Sequence, residues 1–227
     1  MPKNVARDGC LAEIKRFFKY YFSFCESPDP DAVREAFASA YSLNDKLRKA
    51  GYPNFFRSKE FLAIKAVRNY AIHEAEIYNK TRSLPLASTV PIGAELSILC
   101  LIPKRIMEQI LDGCSEDSVI AIKDTCVFYR DYVDIYPSMF NFGVQLFLYT
   151  ETHSFKVDSK EYAEFANSIE YERINNYPHF VVGGFKLPQG GCVDEFIEVG
   201  LSTIDEKIIV QNTFYSEDKG MFTFKGF

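Results

Sequence analysis

Between Asp8 and Asn79 apolar side chains return every three or four residues, a period that commits this stretch to stacked amphipathic helices. The first set is Leu11, Ile14, Phe17, Phe18, Tyr21 and Phe22, with Lys15, Arg16 and Lys19 between them, which predicts a helix from about Asp8 to Cys25. Ser27-Pro28-Asp29-Pro30-Asp31 stops it. A second helix is expected from about Asp31 to Ala50 on Val33, Phe37, Ala40, Tyr41 and Leu47, with Gly51 placed to close it and Pro53 to break the chain. The third starts near Ser58, a good N-cap, and runs without glycine or proline to about Asn79. Three such helices with short links predict an antiparallel bundle.

The remainder changes character. Pro85, Pro91, Gly93 and Pro103 punctuate residues 83–104, and Glu95 to Ile102 suits either a strand or a short buried helix. Lys104 to Gly113 reads as a helix, Asp117 to Ile135 is undecided, Phe140 to Tyr149 is expected to be buried, and Asp158 to Asn175 reads as a polar helix. The tail reads as β: Phe180 to Phe185, a turn at Pro188 to Gly191, Phe196 to Val199, Lys207 to Tyr215, a hairpin turn at Glu217 to Gly220 and a return strand Met221 to Phe224. The expected fold is α+β, an N-terminal antiparallel helical bundle (1–82) followed by a part (83–227) containing a small antiparallel β-meander, the two packed as one compact unit.

Charge divides along the same line. Residues 1–82 hold 15 Lys and Arg against 10 Asp and Glu, whereas 83–227 hold 11 against 21. Two readings follow: the halves attract each other across an internal interface, or the basic part meets a polyanion. No apolar run approaches the roughly 18 residues of a membrane span, and no signal core follows Met1-Pro2-Lys3-Asn4. A soluble, cytoplasmic protein without a membrane partner is the expectation. The six cysteines form no C-x-x-C pair and only three histidines are present, so no metal site or cofactor is expected and the cysteines read as reduced core thiols.

On a helical wheel of the third helix, Ala63, Ile64, Ala66, Val67, Tyr70, Ala71, Ala75, Ile77 and Tyr78 form the core-facing stripe, with Glu74 as its one misfit. Arg68 and His73 fall on opposite margins of the stripe. The arc between them carries Lys65, Asn69 and Glu76 together with three large apolar residues, Phe61, Leu62 and Ile72. Asn69 and His73 are i,i+4 neighbours. Apolar groups beside polar ones suggest a partner surface, and an isologous dimer there would bring two Arg-Asn-His sets together.

Those residue types suit one reaction. A histidine titrating near neutrality takes a proton from a ribose hydroxyl or gives one to a leaving oxygen. A guanidinium binds phosphate in bidentate fashion and stabilises developing charge. An amide orients either group. The chemistry is attack of an RNA 2′-hydroxyl on the adjacent phosphate, with no metal required.

Arg68-Asn69-Tyr70-Ala71-Ile72-His73 resembles the R-x4-6-H motif of HEPN domains, including the polar residue directly after the arginine. The resemblance covers roughly residues 8–80. It implies a helical bundle and a metal-independent ribonuclease or RNA-binding protein that dimerises through this helix, of the kind found in toxin–antitoxin and antiviral defence systems. It implies Arg68 and His73 as catalytic and Asn69 as supporting; Lys65 and Glu76, which share the arc on the wheel, are expected to bind substrate. The alternative is a non-catalytic interaction or scaffold protein using the same surface; a purely structural role for the motif would instead pair His73 with Glu76 and Arg68 with a carboxylate from the acidic half.

Other candidates have a plainer reading. His153 and His179 have no nucleophile in matching local context. Gly183-Gly184 and Gly190-Gly191 precede no helix start and read as turns. Asp124, Asp131 and Asp134 lack calcium-loop spacing and read as a solvated face.

Overall fold

The fold was obtained as a computed structural model, which describes residues 3–26, 29–73, 81–85, 98–185, 187, 191–211, 213–216 and 221–224. The chain forms two compact units, 1–185 and 186–227.

In the first unit, α1 (Lys3–Glu26) and α2 (Pro30–Lys49) form an antiparallel pair. The Cys10 thiol near the start of α1 meets the Lys46 carbonyl near the end of α2 at 3.7 Å. Helix α1 starts five residues before the expected Asp8, and the ends of α2 fall within one residue of those expected. Asp29 caps α2 by accepting from the Asp31 N–H at 2.9 Å. Gly51 takes a positive φ of 79°, and the Tyr52 and Gly51 N–H groups close back on the Leu47 and Arg48 carbonyls at 3.0 and 3.1 Å. Helix α3 (Lys59–His73) begins on Ser58, whose hydroxyl accepts from the Phe61 N–H at 3.1 Å. The part of the expected third helix beyond His73, including Glu74 and Glu76, lies outside the described residues.

A four-stranded antiparallel sheet follows, in the order β1 (Arg82–Pro85), β2 (Ile98–Pro103), β4 (Tyr132–Asp134), β3 (Val127–Phe128). The undecided stretch 95–102 is thus a strand over its described part. Residues 117–135 divide between a helix and two short strands. Helices α4 (Lys104–Asp112) and α5 (Glu116–Thr125) lie between β2 and β3 in sequence.

Helix α6 (Tyr136–Thr152) is apolar on every side and is buried from Tyr136 to Phe147 at nearly every position, as expected of a helix at the centre of a core. Phe142 is its hub. Its ring meets Phe17 of α1 at 5.3 Å, Phe55 at 5.1 Å and Phe61 of α3 at 5.8 Å. Helix α7 (Lys160–Asn175) adds Phe165, which packs on Phe18 at 5.2 Å and Tyr21 at 5.7 Å. The core of this unit therefore draws on both sides of position 82.

Two expectations are corrected here. Phe180 to Phe185 is not a strand. Its backbone is held by side chains: Asn141 accepts from the Val181 N–H at 2.8 Å and donates to the Val181 carbonyl at 2.9 Å, and the Tyr129 hydroxyl accepts from the Phe185 N–H at 2.8 Å. Gly184 lies so close to β3 that a Cβ there would fall 2.5 Å from Val127 Cγ1. In the second unit, α8 (Val193–Gln211) replaces the strands expected at 196–199 and 207–211. Val193, Ile197, Leu201, Ile204 and Ile208 repeat at helical spacing, and Asp194 and Glu195 occupy the first turn where the helix dipole favours them. What remains of the meander is one antiparallel pair, β5 (Thr213–Ser216) and β6 (Met221–Phe224), in register Thr213 to Phe224. The turn residues 217–220 lie outside the described residues. The fold class is α+β.

Candidate functional site

Helix α3 packs its Ala63, Ile64, Ala66, Val67 and Ala71 stripe into the core, as its wheel predicts. Lys65, Arg68 and Asn69 are left half-buried along its outer side. Phe61 departs from the expected arc and is fully buried, because Phe142 and Phe56 close over the start of the helix. Ile72 stays 52% exposed. His73 is the last residue of α3; its side chain and Glu76 lie outside the described residues.

The Arg68 guanidinium carbon lies 4.3 Å above the Tyr41 ring of α2. Its Nη1 donates to Asn69 Oδ1 at 3.2 Å, and its Nε is shielded from solvent without a hydrogen-bond partner. One turn earlier, the Lys65 ammonium sits 5.2 Å from the Phe56 ring centre. Neither cation pairs with a carboxylate among the described residues. Elsewhere pairing is common: Arg16 meets Glu13 at 2.6 Å, Arg48 meets Asp45 at 2.8 Å, Lys59 meets Asp124 at 2.6 Å and Arg173 meets Glu151 at 2.6 Å. In a chain with net charge −5, two cations one helical turn apart thus form a strip that rests on aromatic rings and has no carboxylate partner among the described residues.

Beside the strip opens a cleft of about 280 Å³ between α3 and the α4–α5 turn. Lys65, Asn69 and Tyr70 line one wall and Cys114, Ser115 and Ser118 the other, with Ala66 and Ile110 also lining it. The Tyr70 hydroxyl donates to Gln109 Oε1 at 2.9 Å, and the Ser115 and Ser118 hydroxyls are 3.1 Å apart. Burial pushes the Cys114 thiol pKa up, with the Lys65 charge opposing it. The structure thus brings the expected Lys65 and Asn69 together in one cleft and turns Arg68 away from it onto Tyr41. Tyr41 carried no functional reading in the sequence, and Ser115 and Ser118 had no signal: they arrive from some fifty residues downstream by tertiary packing alone.

Gly190-Gly191, expected to precede no helix start, in fact stands just before α8, with Gly190 outside the described residues; the two remaining histidines resolve as structural. His153 packs on Tyr149, ring centres 4.2 Å apart. His179 Nδ1 lies 2.8 Å from Glu172 Oε2. All six cysteines are free. Burial pushes Cys25 and Cys126 up to about 12, which leaves them poor nucleophiles. Asp124 and Asp131 are at the surface, paired with Lys59 and Arg130. Asp134 corrects the expected solvated face. It is fully buried, and its Oδ1 accepts from the Cys100 and Tyr136 N–H groups at 2.7 and 2.9 Å. Its position ties β2 to the first turn of α6.

Among the described residues no cluster of three or more His, Cys, Asp and Glu is placed to hold a metal, and no helix is long and apolar enough to cross a membrane. No protein-family model, curated protein or solved structure matches the chain.

Proposed function

We propose that this chain is an RNA-binding protein of the HEPN kind that cleaves RNA without a metal, and that it acts as a toxin or defence component. The observation that carries the reading is the Arg68 guanidinium: half-buried, oriented by Tyr41 and Asn69, and without a carboxylate partner among the described residues. A structural arginine such as Arg7 finds several acceptors within the fold, whereas Arg68 has Asn69 alone among the described residues and a shielded Nε left over. A guanidinium kept on an aromatic ring stays available for phosphate oxygens.

In this reading Arg68 binds the scissile phosphate and stabilises the charge that grows on it. His73 accepts the 2′-hydroxyl proton as the 2′-oxygen attacks phosphorus. The bond to the 5′-oxygen breaks, that oxygen takes up a proton, and a 2′,3′-cyclic phosphate and a 5′-hydroxyl remain. Asn69 holds the guanidinium. A homodimer through α3 supplies a second histidine for the second proton transfer, and the exposed Ile72 gives such an interface an apolar contact.

Ile72 equally favours the second reading, a non-catalytic partner surface on the same helix. Expression of the wild type and His73→Ala in cells, with growth and RNA integrity followed, separates the two. Toxicity and RNA loss that disappear in the variant support the nuclease. Identical behaviour of the two proteins leaves the interaction reading.

A further inference from the structure

We propose that the cleft between α3 and the α4–α5 turn is a second phosphate subsite, holding a phosphate of the same RNA strand next to the one at Arg68. The inference rests on the RNA reading above and adds to it a place on the protein and a set of donors.

The cleft is built for an anion in three respects. First, Lys65 brings a half-buried positive charge with no carboxylate partner among the described residues. Second, its donors are uncommitted. Asn69 lines the cleft and accepts from Arg68 through Oδ1, and its Nδ2 hydrogens have no acceptor among the described residues. Of the two serine hydroxyls 3.1 Å apart, one donates to the other, so one hydroxyl hydrogen remains to be given away. Third, a cavity of about 280 Å³ lies at the small end of ligand sites, the scale of a phosphate with its sugar rather than of a folded partner. Asn69 touches both places, accepting from Arg68 through Oδ1 and lining the cleft, so one residue couples them.

Asp112, Glu116 and Asp117 are exposed on the turn that carries Cys114 and Ser115. They oppose a free anion, so inorganic phosphate alone is expected to bind weakly. The strand, already held at Arg68, supplies the local concentration that overcomes them.

Cys114 reports on occupancy, because it lines the cleft and is half-buried, whereas Cys192 is exposed elsewhere in the chain. The experiment follows alkylation of both thiols, resolved by peptide mass, with and without a short single-stranded RNA. RNA is expected to slow Cys114 about tenfold while Cys192 keeps its rate. Lys65→Gln, checked for an unchanged thermal midpoint, is expected to remove that protection. It should also weaken RNA binding about tenfold and lower the salt dependence by about one released ion. Ser115→Ala with Ser118→Ala gives a second route to the same loss if Lys65→Gln fails to fold.

The failures are distinguishable. RNA that binds and is released by Arg68→Ala, yet leaves Cys114 alkylation untouched, overturns the subsite and keeps the RNA reading. If no RNA binds, the RNA reading falls, and the subsite is decided by concentrated inorganic phosphate. Protection of Cys114 in the wild type and not in Lys65→Gln upholds it; no protection overturns it.

Discussion

The Arg68 guanidinium and the Tyr41 ring lie 4.3 Å apart, one helix apart and 27 positions apart in sequence. Stacking of this kind is worth about 0.5–2 kcal/mol. On the nuclease proposed above, Tyr41→Leu is therefore expected to lower RNA cleavage by about one order of magnitude through loss of orientation, while Tyr41→Phe keeps the ring and most of the rate. Arg68→Lys is expected to be nearly as damaging as Arg68→Ala, since an ammonium neither stacks flat nor grips phosphate with two donors. Single-turnover cleavage rates, measured beside thermal midpoints, read the difference.

Asp134 makes stability depend on pH. Burial raises its pKa from 3.8 to about 7, against the two backbone N–H bonds that pull it down. Because the folded value lies above the unfolded one, the folded state binds the proton more tightly. Its contribution is complete below pH 4 and is lost as pH rises through about 7. The loss is on the order of 4 kcal/mol at most for a shift of this size. Urea midpoints should fall between pH 5 and pH 8, and Asp134→Asn, which keeps an acceptor for both N–H groups, should flatten that slope. An unchanged slope in the variant refutes the assignment.

Arg7 clamps the start of α1 to the far end of α6. It donates to the Ser154 carbonyl at 2.7 Å, to the His153 carbonyl at 3.3 Å and to the Tyr52 hydroxyl at 3.0 Å, and it lies 4.4 Å over Phe155. Arg7→Ala should cost about 1–3 kcal/mol, and Arg7→Lys should recover only part, since three acceptors need a fork. Equilibrium urea unfolding measures both.

Two glycines separate close approach from spare room. A Cβ on Gly184 would meet Val127 Cγ1 at 2.5 Å, so Gly184→Ala is expected to cost about 1–3 kcal/mol and to loosen residues 177–185. In α6, a Cβ on Gly143 would meet Phe165 at 3.4 Å, ordinary contact, and Gly143→Ala gains helix propensity of up to about 1 kcal/mol. The first variant should lower the thermal midpoint and the second should hold or raise it.

Period and end signals made α1 to α3 readable, because Asp29, Gly51 and Ser58 do locally what their residue types imply. The tail misled where composition ran against period. Ile208-Ile209-Val210 is β-branched, yet Val193, Ile197, Leu201, Ile204 and Ile208 keep a helical step, and the period prevailed. Asp134 was misread because nothing local shows that β4 turns its carboxylate onto backbone donors from two other elements. At the site, Lys65 and Asn69 are legible from the arc of the helical wheel that they share. Tyr41, Ser115 and Ser118 reach that surface only through packing between distant segments, which no spacing records.

Phe142 has a consequence for how the protein is made. Helices α1 and α3, made within the first 73 residues, turn aromatic side chains toward a helix that emerges from the ribosome only later. Until Tyr136 to Thr152 has cleared the exit tunnel, Phe17, Phe55 and Phe61 lack their shared partner. The nascent chain must carry that sticky surface through much of its synthesis, and a product cut short before residue 136 is bound for chaperones or proteases rather than for a stable, partly working bundle.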